Sequence, residues 1–346
     1  MNVTIKDIAQ ATGLSIATIS KYLNNIKIKE ENRILIEKTI CELDYKPNRS
    51  AQKLRSKKTK TIGIIISDLG NYFWGPLITS VTNYFMKYGY TVITCSFYCS
   101  SEKEYEVIQE VITQNYDGII MLTNGTDDSM YHLLQEADIP VVLLDQIPQE
   151  MDLYPVDCVL SDNYRGGAIL AQHLLEKGHT NIYILEHALN SYSLEQRIKG
   201  FLDEYAKNGH DITALQPSLP PLASFRTAEI PTQQSKQRFR QVMHSTNPPT
   251  AIFFTNYIYA MAGLTAANSA RISIPDDVSF ICFDDDPLFQ ALSSSITCVS
   301  QDLTTIAQKS CELLLRRMKK DFTDFPQTVI VDVEFHPRKS VKNLNK

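Results

Sequence analysis

Val3–Asn24, VTIKDIAQATGLSIATISKYLN, is the stretch whose reading decides the fold of this chain. It predicts two short helices joined by a tight turn. Thr4 is placed to cap the first, and Asp7, three residues on, completes the capping-box spacing. Ile5, Ile8 and Ala9 then share one helical face. Gly13 falls where the turn between two crossing helices commonly carries glycine. Ser15 is the cap expected for the second helix, whose Ile16, Ile19 and Leu23 repeat at helical spacing. A third periodicity, Ile36, Ile40 and Leu43, lies within Glu30–Leu43. Three short helices with this turn make a helix-turn-helix, whose second helix enters a DNA major groove. A small helical bundle with no DNA role shows the same periodicity, so charge has to arbitrate. Residues 1–60 carry 13 Lys/Arg against 6 Asp/Glu, whereas residues 61–346 carry 21 against 33. A basic head on an acidic body is what attraction to phosphate predicts.

The same residues resemble a known family. VTIKDIAQATGLSIATISKYLNN and then ELDYKPNRSAQKLRSKKTKTIGIIISD look like the head of the lactose-repressor/galactose-repressor (LacI/GalR) regulators. The likeness continues through VDCVLSDNYRGGAILAQHLLEKGHTNI, PTAIFFTN and IPDDVSFICFDDDPL, in order and at the family's spacing.

Length and composition agree. A chain of 346 residues exceeds one average domain, so a small head and a larger body are expected. Hydrophobic residues at 43% and charged residues at 21% are ordinary for a globular protein, and no run of about 18 apolar residues suggests a membrane span. MNVTIKDIAQ lacks the apolar core of a secretory signal, and seven cysteines without framework spacing suit a reducing compartment, so a cytoplasmic location is expected. Cys95 and Cys99 have no second Cys/His pair nearby and read as bystander thiols. GxGxxG, GxxxxGK and GxSxG are all missing, so no enzyme, cofactor or metal is expected.

Beyond the head, Pro47 disfavours helix at the residue before it, and Asn48 is placed to cap a brief helix, Arg49–Arg55, amid Lys53, Lys57, Lys58 and Lys60. By composition this is a charged linker. By resemblance it is a hinge helix that pairs with its dimer mate in the minor groove, with Leu54 at the position of the family's wedging leucine. From Thr61 the pattern changes to apolar β-branched runs alternating with helices, the sign of doubly wound α/β units. The resulting expectation is an all-α helix-turn-helix head plus an α/β periplasmic-binding-protein-like effector domain of two doubly wound subdomains. The head spans residues 1–46 and the hinge 47–60. The effector domain, 61–346, divides into one subdomain of about 61–160 and 288–322 and another of about 161–287 and 323–346, with the chain crossing near 161, 287 and 323. Residues 211–235, rich in proline, read as a long loop.

For DNA, the resemblance implies base contacts from Ile16, Ala17 and Lys21. Lys21 can donate to guanine, while Ile16 and Ala17 offer only apolar contact. Ile16 could equally face the core. Thr18 and Ser20 suit phosphate contacts, and Thr4, Ser15, Asn24, Asn48, Arg49 and Leu54 complete the expected DNA-binding set. So small a head reads one half-site, which implies a homodimer on a near-palindromic operator.

In open α/β sheets ligands bind beyond the carboxyl ends of the strands. Asp145, Asp162, Asn256 and Asp284 stand at such ends. The resemblance puts Arg197, Asn256 and Asp284 at effector-contacting positions, with Asp145 and Asp162 close by. Carboxylates, an amide and a guanidinium suit a polyhydroxylated, sugar-like effector. Phe73 and Trp74, after Tyr72, offer an aromatic wall. Each acid could instead cap the following helix, and Arg197 could merely brace helices. Tyr72 replaces a proline, Tyr257 an aspartate and Cys282 a glycine of the family pattern, so effector identity does not carry over. A repressor is the family's usual output. An activator, or a sugar-binding protein without regulatory function, would use the same body. The tail HPRKSVKNLNK shows no heptads, which favours a dimer over a tetramer.

Overall fold

A computed structural model describes residues 3–23, 26–45, 58–70, 73–98, 100–123, 128–148, 151–185, 191–211 and 232–345. Asn24, Asn48, Arg49, Leu54 and Tyr72, the expected hinge helix and most of the proline-rich loop lie outside the described residues. The chain forms two compact units, residues 1–59 and 60–346.

In the first unit, α1 (Ile5–Thr12), α2 (Ile16–Leu23) and α3 (Glu30–Glu42) enclose a small core. Ile8, Ile19 and Ile36 contribute one fully buried side chain from each helix, and Leu14, Leu23, Ile40 and Tyr45 pack around them. Gly13 ends α1 with φ +68°, a left-handed backbone that glycine adopts without cost. The turn glycine is therefore required by geometry.

The second unit contains two sheets. β1 (Thr61–Ile66), β2 (Thr91–Ser96), β3 (Gly118–Met121), β4 (Val141–Leu144), β5 (Asp157–Ser161) and β10 (Thr328–Val331) form the first, in the order β10-β5-β4-β3-β1-β2, all parallel. β6 (Ile182–Leu185), β7 (Ala251–Phe254), β8 (Ser279–Phe283), β9 (Thr297–Gln301) and β11 (Val333–His336) form the second, in the order β11-β9-β8-β7-β6. Only its edge strand β11 runs antiparallel. Both faces of each sheet are covered, which is why the central strands read as unbroken apolar runs. On β1, Ile62, Ile64 and Ile66 pack with α4 (Trp74–Met86) and α12 (Leu303–Met318). Ile65 points to the other face, with α5 (Ser101–Thr113) and α6 (Asp128–Glu136). The second sheet is flanked by α7 (Asn163–Glu176) and α8 (Tyr192–Lys207) on one face. Its other face carries α9 (Thr232–Met243), α10 (Tyr257–Ala270) and α11 (Pro287–Ala291).

Strand pairing corrects two of the three expected crossings. The chain passes from the first sheet to the second after Ser161, as expected. It returns only after Gln301, because β9 pairs with β8, and leaves again after Val331, because β10 pairs with β5. Residues 288–301 thus belong with the second sheet and 323–331 with the first. The signals are weak for a physical reason: β10 is a four-residue edge strand with Thr328 and Ile330 exposed, so it lacks a buried run. Helices α9, α10 and α12 are further additions to the sequence reading; α9 occupies the end of the stretch read as loop.

Two contacts fix the second sheet's outer layer. Helices α7 and α8 cross through glycines: a Cβ on Gly200 would lie 1.9 Å from the Tyr164 carbonyl oxygen, and one on Gly167 would lie 2.0 Å from that of Arg197. These are backbone atoms, so no side-chain rotation relieves them. Gly200→Ala should therefore push the helices apart and cost about 1–3 kcal/mol of stability, measured by urea unfolding; an unchanged midpoint would show that the crossing relaxes freely.

His179 is fully buried between the sheet and the tail. Its Nε2 lies 2.9 Å from the Lys342 carbonyl and its Nδ1 2.9 Å from the Thr250 hydroxyl. Burial lowers its pKa, partly opposed by the Lys342 bond. The unfolded chain then binds the proton more readily than the folded one, so stability rises with pH and is lost as pH falls below about 6.5. Denaturation from pH 8 to 5 should show a loss of up to about 1.4 kcal/mol per pH unit from this group, and the slope should be shallower in His179→Gln.

Candidate DNA-reading helix and effector cleft

In the head, the caps expected from sequence are formed. The Ser15 hydroxyl accepts from the Thr18 N–H at 3.2 Å and lies 2.9 Å from the Thr18 hydroxyl. The Thr4 N–H and hydroxyl both donate to the Asp7 carboxylate at 2.7 Å, and these bonds hold its pKa below the usual range. With Ile19 committed to the core, the opposite side of α2 is presented to solvent. Ile16 (38% exposed), Ala17 and Lys21 are exposed, and Thr18 and Ser20 are half-buried. The core alternative for Ile16 is thereby removed. Charge is distributed unevenly. Residues 3–45 hold six Lys/Arg and six Asp/Glu, whereas residues 46–60 hold seven Lys/Arg and no acid. The helical bundle is formally neutral, and the basic excess belongs to the segment that follows it.

In the body, the carboxyl ends of β4 and β8 turn sharply. Asp145 has φ +57° and Asp284 φ +80°, unusual for residues with side chains. The ladder holds both: the Asp145 N–H donates to Val159 O at 3.0 Å and the Asp284 N–H to Val299 O at 2.8 Å. Between the two acids lies Arg197, only 3% exposed. Its Nε donates to Asn163 Oδ1 and its Nη1 to the Thr255 carbonyl, each at 2.8 Å. Its guanidinium lies 3.8 Å from Asp145, 3.7 Å from Asp284 and 3.9 Å from the Phe283 ring centre. The glycine crossing of α7 and α8 allows this reach, since Asn163 and Arg197 stand near facing ends of those helices. Burial raises the Asp145 pKa, opposed by Arg197 and by hydrogen bonds.

The network also ties the sheets together. Gln301 Nε2 donates to Asp284 at 2.6 Å, the Ser161 hydroxyl donates to Gln301, and the Ser193 hydroxyl donates to the Asp145 carbonyl. Ser161 and Asp145 belong to the first sheet, and Gln301 and Asp284 to the second. Beside this network is a small open cleft lined by Phe73, Tyr257, Asp284, Asp285, Ser300, Gln301 and Leu303. It gathers residues from both sheets at strand carboxyl ends, where ligands of open α/β sheets sit.

The expected effector residues separate into three groups. Arg197, Asp145 and Asp284 form the network, and Phe73 lines the cleft. Asp162 and Asn256 are helix caps, accepting from the Arg165 N–H at 3.0 Å and the Tyr259 N–H at 3.2 Å. Trp74 is buried in the first sheet's core, edge-on to Phe73 at 4.8 Å, with no hydrogen-bond partner for its Nε1 among the described residues. Asn163, Ser193 and Gln301 escaped the sequence reading, although Gln301 ends a strand as Asp145 and Asp284 do. The run Asp284-Asp285-Asp286 has three separate uses. Asp285 is gripped by Arg338 through bonds of 2.7 and 2.6 Å, and Asp286 caps α11 through the Leu288 N–H.

A larger cavity, about 150 Å3, opens near the start of β4 among Leu134, Val141, Tyr154, Phe322 and Phe325. Its charged groups are already paired, Lys320 with Asp138 and Arg317 with the buried Asp157. It lacks the convergent polar groups that give a ligand site its specificity, so size does not decide between the two.

Among the described residues, no helix is long and apolar enough to cross a membrane. Residues 4–48 match the model of the bacterial regulatory proteins of the lacI family, and residues 171–341 match a periplasmic binding protein-like domain. The chain is 30% identical to the HTH-type transcriptional regulator DegA of Bacillus subtilis (strain 168) over 346 residues, covering 100% of both. It is 29% identical to the HTH-type transcriptional repressor PurR of Vibrio atlanticus (strain LGP32), over 99% of each chain. In fold it is similar to the lac repressor dimer bound to operator and the anti-inducer ONPF, with a TM-score of 0.80 at 22% identity, covering 99% of this chain and 100% of that one. A LacI family regulator from Enterococcus faecium with bound ribose superposes with a TM-score of 0.69 at 24% identity, over 82% of this chain and 99% of that one. A helix-turn-helix head, two doubly wound sheets with a polar cleft, and full-length similarity to DegA place the chain in the lacI family of bacterial regulatory proteins, as a DNA-binding transcriptional regulator and not an enzyme.

Proposed function

We propose that the protein is a cytoplasmic repressor that binds a near-palindromic operator as a homodimer and releases or tightens it when a sugar-like effector enters the cleft between the sheets. The observation that carries this reading is the solvent face of the capped helix α2, where Ile16, Ala17 and Lys21 stand clear of the core. In this assignment residues 1–46 are the DNA-reading head and 47–60 the hinge. Thr4, Ser15, Thr18, Ser20 and Asn24 position the head on phosphates, while Asn48, Arg49 and Leu54 act in the minor groove. Arg197, Asp145 and Asp284 with the Phe73 wall hold the effector, and Asp162, Asn256 and Trp74 support the cleft from caps and core.

Two features support coupling and dimerisation. The chain Ser161–Gln301–Asp284–Arg197–Asp145 joins both sheets, so a ligand that bonds to any member alters how the sheets are held. The outer edge of the first sheet, strand β2, exposes Ile93, with Met86 and Tyr88 exposed before it and Tyr98 after it. Such an apolar edge fits a partner subunit. The relatives' names supply the direction: PurR is a repressor, and the Enterococcus faecium neighbour holds ribose.

The test is selection from a genomic fragment library at physiological salt, with the parent protein and Lys21→Ala. A recovered palindrome whose affinity falls by about 1–3 kcal/mol per half-site in the mutant is the expected result. Binding that depends on salt alone, with no sequence preference and no effect of the substitution, would overturn the reading.

A further inference from the structure

The cleft and the network beside it have an electrostatic imbalance that bears on the chemistry of the ligand. Asp284 and Asp285 line the cleft, and with Asp145 behind them they face two guanidiniums, Arg197 and Arg338. Arg338 is committed to Asp285 by two short bonds and also donates to the Ile296 carbonyl. Arg197 spends its short hydrogen bonds on Asn163 and Thr255, and reaches Asp145 and Asp284 only at 3.8 and 3.7 Å. One guanidinium is thus shared by two acids. Among the described residues the Asp284 carboxylate, in a residue 9% exposed, keeps a single short hydrogen bond, from the neutral Gln301. At Asp145 burial raises the pKa, Arg197 and the bonds from Ser193 and Asn163 oppose it, and the charge of Asp284 adds a smaller upward push. Asp284 also lines a cleft walled by the rings of Phe73 and Tyr257. An acid in a cleft lined by two aromatic rings complements a cation and repels an anion.

Resting on the effector-cleft reading above, we infer that the ligand of this cleft carries no negative charge and is best matched by an amine-bearing sugar, because Asp284 is an incompletely neutralised carboxylate facing the Phe73–Tyr257 wall. Sugar phosphates and nucleotides are excluded as a class. The hydroxyls of the ring donate to Asp284, its apolar face rests on the aromatic wall, and the ammonium supplies the missing positive charge.

Two experiments on the full-length protein test this. The first needs no ligand and compares the melting temperatures of Asp284→Asn and Asp285→Asn. Removing an under-neutralised charge should raise the melting temperature by about 2–4 °C, whereas breaking the Asp285–Arg338 pair should lower it. A fall for Asp284→Asn resembling that for Asp285→Asn would make Asp284 a structural ion and overturn the inference. The second titrates an aminohexose, its parent hexose and the hexose 6-phosphate, read by the fluorescence of Trp74, the chain's sole tryptophan, which packs against Phe73. The aminohexose should bind about tenfold more tightly than the parent, with no response to the phosphate. A phosphate preferred over its parent overturns the charge assignment but leaves the cleft reading standing. Ligand-induced melting shifts untouched by both Asp284→Asn and Gln301→Ala would place the ligand elsewhere, and the cleft reading would fall. If no sugar of the set binds, the melting comparison decides alone.

Discussion

The buried guanidinium of Arg197 is the constraint around which the effector-binding body is arranged. A charge with 3% exposure persists only if its donors are satisfied, and here the partners come from both sheets. Asn163 begins α7, Thr255 follows β7, Asp284 follows β8, and Asp145 follows β4 of the other sheet. To reach all four, α8 has to approach α7 more closely than any side chain at the contact allows, which is the role of Gly167 and Gly200. The glycine pair and the arginine are thus one device. Losing the close crossing would withdraw the arginine, and losing the arginine would leave two acids facing each other.

That device explains why backbone strain appears where it does. Asp145 and Asp284 both adopt positive φ at the carboxyl end of a strand, a conformation that glycine would accept more easily. Aspartate at these positions sets a carboxylate on either side of Arg197, and ladder bonds to Val159 and Val299 hold the turn. Acids at other strand ends without this turn, such as Asp162 and Asp302, do the ordinary work of capping a helix. Backbone conformation separates the two uses where residue type does not.

This distinction marks how far the sequence could be read. The head was legible to the residue because caps and periodicity are local: Thr4, Ser15 and Gly13 act on neighbours within a turn. The central strands were legible because burial on both faces leaves an unmistakable apolar run. Long-range facts were not. Whether Asp162 caps or binds depends on a φ angle, and whether 297–301 joins the first or second sheet depends on pairing with β8. Gln301 was missed although it obeys the same strand-end rule as the acids, because an uncharged amide in TCVSQ carries no signal of its own. The position of Trp74 was misjudged for a related reason: an aromatic cluster marks a wall, but which ring faces the cleft is decided by helix phase, and Phe73 takes that place.

Charge distribution carries the argument from the body back to DNA. The bundle formed by α1, α2 and α3 has balanced charge, with most of its acids on α3, and the basic excess stands in residues 46–60; the proposed function therefore divides base reading and phosphate attraction between different parts of the chain. The exposed face of α2 presents two apolar side chains and one lysine, enough to discriminate bases but too few to supply much non-specific affinity. On the proposed assignment the seven cations of residues 46–60 supply that affinity instead, and in the sequence they stand between α3 and β1. Counterion release scales with the number of phosphates neutralised, and the segment proposed for that role directly precedes, in sequence, the first strand of the sheet that the Arg197 network ties to its partner. On that assignment an effector bonded to the network acts without touching α2, by altering how the two sheets of the body are held together.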